Sequence, residues 1–391
     1  MGKGRAGRRA AIVSLSVAAL VTLVGSASPT WASSSDRADK PSSALDGAIR
    51  QLVARHDGPP GVIVVVDRAG HQVVHSAGVS TIGGSAPIEP TDHLRMASVA
   101  KAYSGAVALS LVSQGVLSLR DTIGKWLPTL PAAWSRVTLA QLLQHTSSIP
   151  DFSQTQEFRN AVTAAPFVPP AHEALLSFVT DPKLPFPPGS TYHYSNSDNI
   201  IVALMIESAT GKTYEQALSI QLFAPLGLSA TSLPNGASMP TPFAHGYGID
   251  PPDPPTDITS AFAAGWAWAS GGIVSTPSDA TAFVRAYARG ATINEATHTA
   301  QFRFRPGSSE PPGPGVNAAG LGIFRYQTRC GTVYGHTGNT AGYTQFVAAT
   351  ADGSRSVTVS INSQITPKVN GDSFGALQKV YAEGVCAALE D

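Results

Sequence analysis

The segment Ser98-Val99-Ala100-Lys101 places a hydroxyl and an amine three residues apart. It heads a run, Ala102, Ala106, Val107 and Leu109, that continues at helical spacing until Gly115, a good C-terminal stop. Both side chains then lie on one helix face, with Ser98 at or near the N-terminus. The positive end of the helix dipole stabilises negative charge developing on the hydroxyl, and a lysine whose pKa is depressed by burial can take the serine proton. A helix-capping serine followed by a solvated lysine has the same spacing, so the pattern needs support from elsewhere. Among the lysines of the chain, Lys101 alone has a serine three positions before it.

Two further segments carry matching chemistry. Tyr194-Ser195-Asn196 follows Phe186-Pro187-Pro188-Gly189 and reads as a tight loop. A tyrosine beside the nucleophile can pass a proton to the leaving group if nearby cations hold its phenol partly ionised, and an asparagine can bond both lysine and a substrate carbonyl. His336-Thr337-Gly338 precedes a strand expected at Tyr343. Gly338 would let a substrate lie against a strand edge, and the backbone N–H of Asn339 would join that of Ser98 as an oxyanion hole. His336 would supply an adjustable positive charge beside the tyrosine.

The elements that must position these groups fall into two kinds. At the front, Leu45, Ile49, Leu52 and Val53 predict a helix to about His56, stopped by Asp57-Gly58-Pro59-Pro60. Val62–Val66 and Gln72–His75 predict a hairpin turned at Asp67-Arg68-Ala69-Gly70. The far end repeats this in reverse: strands Tyr343–Ala349 and Ser356–Ile361 about an Asp352-Gly353 turn, then a helix over Ser373–Leu389. Strands at both ends predict one antiparallel sheet covered by the terminal helices, an α/β fold. Between them, Leu139–Leu143, Ile200–Ser208 and Tyr214–Leu222 predict helices separated by proline-rich loops. The α/β part is expected at about 42–125 and 260–391, with an α-rich insertion at about 126–259. The Pro306–Gly315 stretch reads as a surface loop without chemistry.

The chain has 391 residues, 43% hydrophobic and 13% charged, with zero formal net charge. This is a globular composition without the electrostatic footprint of a nucleic-acid binder. Lys3, Arg5, Arg8 and Arg9 precede an apolar stretch from Ala10 to Val24 and the tripeptide Thr30-Trp31-Ala32, which predicts an export signal over 1–32 and a flexible lead over 33–41. A secreted, extracytoplasmic protein without a stable membrane anchor is the expectation. Export would permit a disulfide between Cys330 and Cys386; two free buried thiols are the alternative. Neither cysteine has metal-ligand spacing to another ligand, and no H-E-x-x-H pair occurs.

Taken in order, the serine-x-x-lysine, tyrosine-x-asparagine and histidine-threonine-glycine segments resemble those of the penicillin-recognising serine hydrolases. That group comprises the class C β-lactamases, the low-molecular-weight D-alanyl-D-alanine carboxypeptidases and related esterases. Thr138–Pro150 is similar to the segment that ends His-Thr-Ser-Gly-Leu in the family, and Ala269–Thr276 to its glycine-rich turn. Val333–Gly338 behind Cys330, with Cys386 in the last helix, is most similar to the secreted actinomycete carboxypeptidases. The resemblance implies a β-lactamase/transpeptidase-like fold, Ser98 as acylated nucleophile, Lys101 as its activator and Tyr194 as general acid and base. It implies that Asn196, His336, Thr337 and Gly338 contact substrate, that Trp266 walls the cleft, and that no metal or organic cofactor takes part. A small peptide, ester or β-lactam would be the only partner of a monomer.

Two positions depart from that pattern. Phe324 stands where those carboxypeptidases carry the arginine that clamps the substrate carboxylate, and Arg325 would point to the other face of its strand. Asn339 likewise replaces a hydroxyl residue. D-alanyl-D-alanine carboxypeptidase activity on cell-wall peptides is the first expectation. An esterase or β-lactamase with the same machinery is the second, and a non-catalytic penicillin-binding sensor the third.

Overall fold

The computed structural model describes residue 1 and residues 40–390. Beyond Met1, the expected export signal lies outside the described residues, as does the flexible lead up to residue 39. Helix α1, Lys40–Val53, starts inside the end of that lead and stops three residues before the expected His56.

Eight antiparallel strands form the main sheet. They are β1 Gly61–Arg68, β2 His71–Gly78, β3 Arg305–Pro306, β4 Val316–Ala319, β5 Phe324–Thr328, β6 Gly331–Thr340, β7 Tyr343–Ala349 and β8 Arg355–Ile361, in spatial order β2-β1-β8-β7-β6-β5-β4-β3. The two ends of the chain meet where β1 pairs β8, with Val62 opposite Ile361 and Val64 opposite Val359. This is the sheet of joined termini expected from the sequence.

Because side chains alternate on a strand, Val62, Val64 and Val66 face one layer while Ile63 and Val65 face the other. The first set packs with Leu45, Ile49 and Leu52 of α1 and with Leu377, Val380 and Tyr381 of the C-terminal helix Gly371–Leu389. The second set packs toward Tyr103, Val107 and Phe283. Both faces are covered, which is why Val62–Val66 is an unbroken apolar run rather than an alternating one. Full burial of each such side chain contributes about 2 kcal/mol.

Two largely buried helices run through the second layer: α2, Ala100–Ser113, and Asn196–Thr210, the latter buried from Ser197 to Ile206. A helix apolar on all sides belongs in a core, and here that burial fixes where each helix begins. Both begin at the same cleft. The middle of the chain also supplies Leu139–Leu143, held by a capping box between Thr138 and Gln141, and Gln156–Ala164. Cys330 and Cys386 are paired, with Cα atoms 5.1 Å apart. Among the described residues, no helix is long and apolar enough to cross a membrane.

Candidate active site

Ser98 is placed by a short two-stranded ribbon, Leu94–Arg95 against Val274–Ser275. Arg95 is buried and its guanidinium donates to the carbonyls of Ala237, Thr259 and Phe262. The Met96 N–H donates to the Ile273 carbonyl at 2.9 Å. Ala97 then takes a positive φ of 48°, a costly conformation for a residue with a Cβ, and a single tight turn over Ala97–Val99 leads into α2. Ser98 therefore stands just ahead of the helix.

Lys101 is 1% exposed, and its Nζ reaches three oxygens: Ser98 Oγ at 3.0 Å, Asn196 Oδ1 at 2.7 Å and the Ser270 carbonyl at 2.6 Å. Two of these are carbonyl oxygens, which only accept. A neutral amine satisfies both with its two N–H bonds and keeps its lone pair for the Ser98 hydroxyl. Burial favours that state, pulling the Lys101 pKa down to about 7 against the opposing charges of Asp151, Glu310 and Asp198. Activity that depends on the free amine rises as pH rises through about 7. We expect an acidic limb near that pH in a kcat/KM profile; a rate independent of pH between about 5 and 9 would exclude Lys101 as the base.

Asn196 is the first residue of its helix, where the sequence suggested a loop. Its amide nitrogen donates to Asp151 Oδ2 and Ser153 Oγ, each at 2.9 Å, which turns the oxygen toward Lys101. Asp151 is fixed in turn by the N–H and hydroxyl of Ser153. Neither Asp151 nor Ser153 was apparent from the sequence. They follow the Thr138–Pro150 segment closely, which is the one signal available.

The Tyr194 hydroxyl is buried beside Ser98 and makes no well-formed hydrogen bond. Burial pushes its pKa well up, so the phenol keeps its proton. The partly ionised tyrosine expected from the sequence is not what this environment favours. Lys101 Nζ lies 5.0 Å from the ring centroid, and the His145 ring packs against the other side at 4.5 Å. His145 Nδ1 is 2.8 Å from Asp198 Oδ2, and Ser147 Oγ donates to Asp198 Oδ1 at 2.5 Å, all without access to water. Burial lowers the His145 pKa to about 3 and raises that of Asp198 above the usual carboxylate range, and the hydrogen-bonded pair supports the tyrosine from behind.

Strand β6 brings the histidine-threonine-glycine segment beside Ser98; it is a separate strand that precedes the one expected at Tyr343–Ala349, which is β7. Its ladder with β5 ends at Gly335 opposite Phe324, leaving His336–Thr340 unpaired along that edge. Gly338 is pressed against the nucleophile turn: a Cβ there would stand 2.4 Å from the Met96 carbonyl and 3.0 Å from the Ser98 nitrogen. Glycine is required by that approach. Asn339, next along, lines the cleft beside Ser98.

Three expected substrate contacts lie elsewhere. His336 is buried, with Nδ1 donating to the Thr337 carbonyl at 2.5 Å, and desolvation brings its pKa to about 3. It is neutral at physiological pH, contrary to the adjustable charge expected of it. Thr337 is buried and donates its hydroxyl to the Pro311 carbonyl at 2.6 Å, holding the loop over it. Phe324 packs against His336 at 5.0 Å and Tyr192 at 6.5 Å beneath Tyr194, rather than facing the cleft. Arg325 does point to the opposite face, where its guanidinium lies 5.2 Å from the Phe304 ring centroid.

The cleft has a volume of about 810 Å³ and is lined by Ser98, Tyr194, Asn196, Trp266, Asn339 and Glu310, among others. Trp266 is braced by an Nε1 bond to the Ala165 carbonyl and by Phe158. Glu310 comes from the Pro306–Gly315 loop, whose composition suggests no chemistry. A second serine, Ser373 in Gly371-Asp372-Ser373-Phe374-Gly375, has the spacing of a nucleophile elbow. It lies instead in the first turn of the C-terminal helix, where its hydroxyl donates to the Asp57 carboxylate at 2.5 Å and accepts from Arg55 Nε at 2.8 Å.

The sequence profile of the beta-lactamase family matches residues 45–380. The chain belongs to that family. Among curated relatives, penicillin-binding protein 4* of Bacillus subtilis is 27% identical over 184 residues, covering 45% of this chain and 39% of its own. A D-aminopeptidase of Brucella anthropi is 28% identical over 191 residues, 49% of this chain and 36% of its own. This beta-lactamase-family chain thus spans less than half the length of those relatives. A solved D-stereospecific amidohydrolase from Streptomyces sp. superposes with a TM-score of 0.77 at 25% identity, covering 88% of this chain and 98% of that one. The D-amino acid amidase of Ochrobactrum anthropi SV3 shares the fold, with a TM-score of 0.75 at 24% identity over 89% and 99%.

Proposed function

We propose that this beta-lactamase-family protein is an exported serine hydrolase that cleaves small amides, esters or peptides of D-amino acids through an acyl-enzyme on Ser98. The observation that carries the reading is the set of Lys101 bonds: two carbonyl acceptors occupy its N–H groups and the third direction is the Ser98 hydroxyl. In acylation, Ser98 Oγ bonds to the substrate carbonyl carbon as its proton passes to Lys101. The carbonyl oxygen becomes an oxyanion held by the N–H groups of Ser98 and Asn339. Tyr194 gives its proton to the departing nitrogen or oxygen and is recharged from the Lys101 ammonium. Water then repeats the sequence in reverse on the ester.

The substrate class follows from what lines the cleft. Among the described residues no arginine lines it, and Phe324 is sealed beneath the site, so a bidentate carboxylate clamp is missing there. This disfavours peptides ending in a free D-alanine and suits amides and esters, in keeping with relatives described as D-aminopeptidase and D-stereospecific amidohydrolase. D-Alanyl-D-alanine carboxypeptidase activity is the second reading, favoured by Lys368 at the same cleft, a cation able to meet a terminal carboxylate. We take Cys330–Cys386 to be a disulfide of the exported protein, and one chain to be the working unit because it supplies every group of the site.

The test is time-resolved mass spectrometry with a D-amino-acid amide, a neutral acyl ester, a D-Ala-D-Ala peptide and a fluorescent penicillin. The proposal expects acylation and turnover of the amide and ester to exceed those of the peptide. Faster release of terminal D-alanine would move the assignment to the carboxypeptidase.

A further inference from the structure

We propose that Glu310 forms a subsite for a cationic group of the substrate, a primary ammonium carried by the acyl portion. The inference rests on the reading of Ser98 as the acylated nucleophile. Glu310 lines the same cavity as Ser98, Tyr194 and Asn196, yet among the described residues its carboxylate makes no hydrogen bond or ion pair.

Its position is built rather than incidental. The loop that carries it is pinned from several sides. Thr337 Oγ1 donates to the Pro311 carbonyl at 2.6 Å, Gln378 Nε2 to the Pro312 carbonyl at 2.7 Å, and Asn339 Nδ2 to the Glu310 carbonyl at 3.3 Å. Tyr326 Oη donates to Ser309 Oγ at 3.0 Å, inside the same loop. Three of these anchors come from β5 and β6, so the strand that borders the nucleophile also sets the carboxylate. Thr337 thus acts on the cleft through Glu310 rather than by touching substrate.

The surroundings leave a place for a cation. Glu310 is exposed as a residue, but desolvation of its carboxylate against the cavity wall raises its pKa, and repulsion by the Asp151 carboxylate, held by Asn196 and Ser153, adds to the shift. A bound ammonium relieves both effects, and it gains more from a partly desolvated carboxylate than from one in open water. Lys101 cannot serve, since it is committed to three bonds behind Ser98. His193 and Lys368 also act on Glu310 electrostatically, but neither comes within ion-pair distance. Independently, Tyr194, only 8% exposed, lines the same cavity with its hydroxyl buried beside Ser98 and in no well-formed hydrogen bond. Both groups await a ligand that supplies an ammonium at one end and a leaving group at the other.

The experiment compares kcat/KM for a D-amino-acid p-nitroanilide with a free amine and for its N-acetyl derivative, each normalised to p-nitrophenyl acetate. The wild-type protein should favour the free amine, and Glu310→Gln should lower that preference about 10-fold, mainly through KM. Glu310→Lys should invert it in favour of an N-succinyl derivative. An unchanged preference ratio in Glu310→Gln, or no preference in the wild type while the acetate ester still acylates Ser98, overturns the subsite and leaves the nucleophile assignment standing. Failure of every substrate to acylate Ser98 overturns both.

Discussion

Lys101→Ala is expected to slow acylation of Ser98 by about 10³-fold, the usual weight of a positioned general base. The variant removes the amine that reaches the hydroxyl and leaves the carbonyl of Ser270 and the amide oxygen of Asn196 without their donor. Asn196 itself should stay in place, because Asp151 and Ser153 hold its nitrogen independently. Stopped-flow acylation with a chromogenic ester measures the effect, and the acidic limb near pH 7 should vanish with the amine. Near wild-type acylation in a correctly folded Lys101→Ala protein would refute the activation scheme.

Tyr194→Phe should separate stability from turnover. The substitution keeps the ring that packs on His145 and beside Lys101 and deletes only a hydroxyl that has no partner in the resting site. Removing an unsatisfied buried hydroxyl should leave stability unchanged or raise it by about 1 kcal/mol. Turnover should fall by roughly 10²- to 10³-fold, because the leaving group loses its proton donor. Thermal unfolding and steady-state kinetics on the same preparation decide the matter. A fall in Tm matched to the loss of activity would make Tyr194 a packing residue instead.

Both expectations depend on residues that stand out in the amino-acid sequence. Ser98 and Lys101 are legible there because a buried helix starts at the cleft, and a helix start leaves a mark in sequence; Asn196 is legible only through the tyrosine-x-asparagine segment, since its helix starts before the expected Ile200. The sheet is legible from its strands: Val62–Val66 is apolar in the manner of a strand covered on both faces, and Tyr343–Ile361 is rich in β-branched and aromatic residues about its Asp352-Gly353 turn. The histidine-threonine-glycine segment is harder. Strand alternation says which side chains share a face, but not that a loop closes over that face. His336, Thr337 and Phe324 therefore read as cleft residues, whereas they lie beneath it.

Glu310 is hidden for the converse reason. Its loop is rich in glycine, proline and serine, a composition that marks exposure and carries no periodicity. Only contacts distant in sequence, such as Thr337 to Pro311 and Gln378 to Pro312, turn it into a wall of the cavity. Asp151 and Asp198 escape notice similarly, since Asp151 acts through Asn196 and Asp198 through His145, partners remote along the chain. The elbow-like segment Gly371–Gly375 makes the same point in reverse: its serine has the right spacing, but its hydroxyl is spent on a hydrogen bond to Asp57.

The most direct test of the central claim is intact-protein and peptide mass spectrometry after a brief reaction with an acylating ester, quenched in acid. The account predicts one acyl group per chain, mapped to Ser98 and absent from Ser98→Ala, with faster labelling above a pH of about 7 than below it. No adduct, an adduct on another residue, or equal labelling of Ser98→Ala would contradict it.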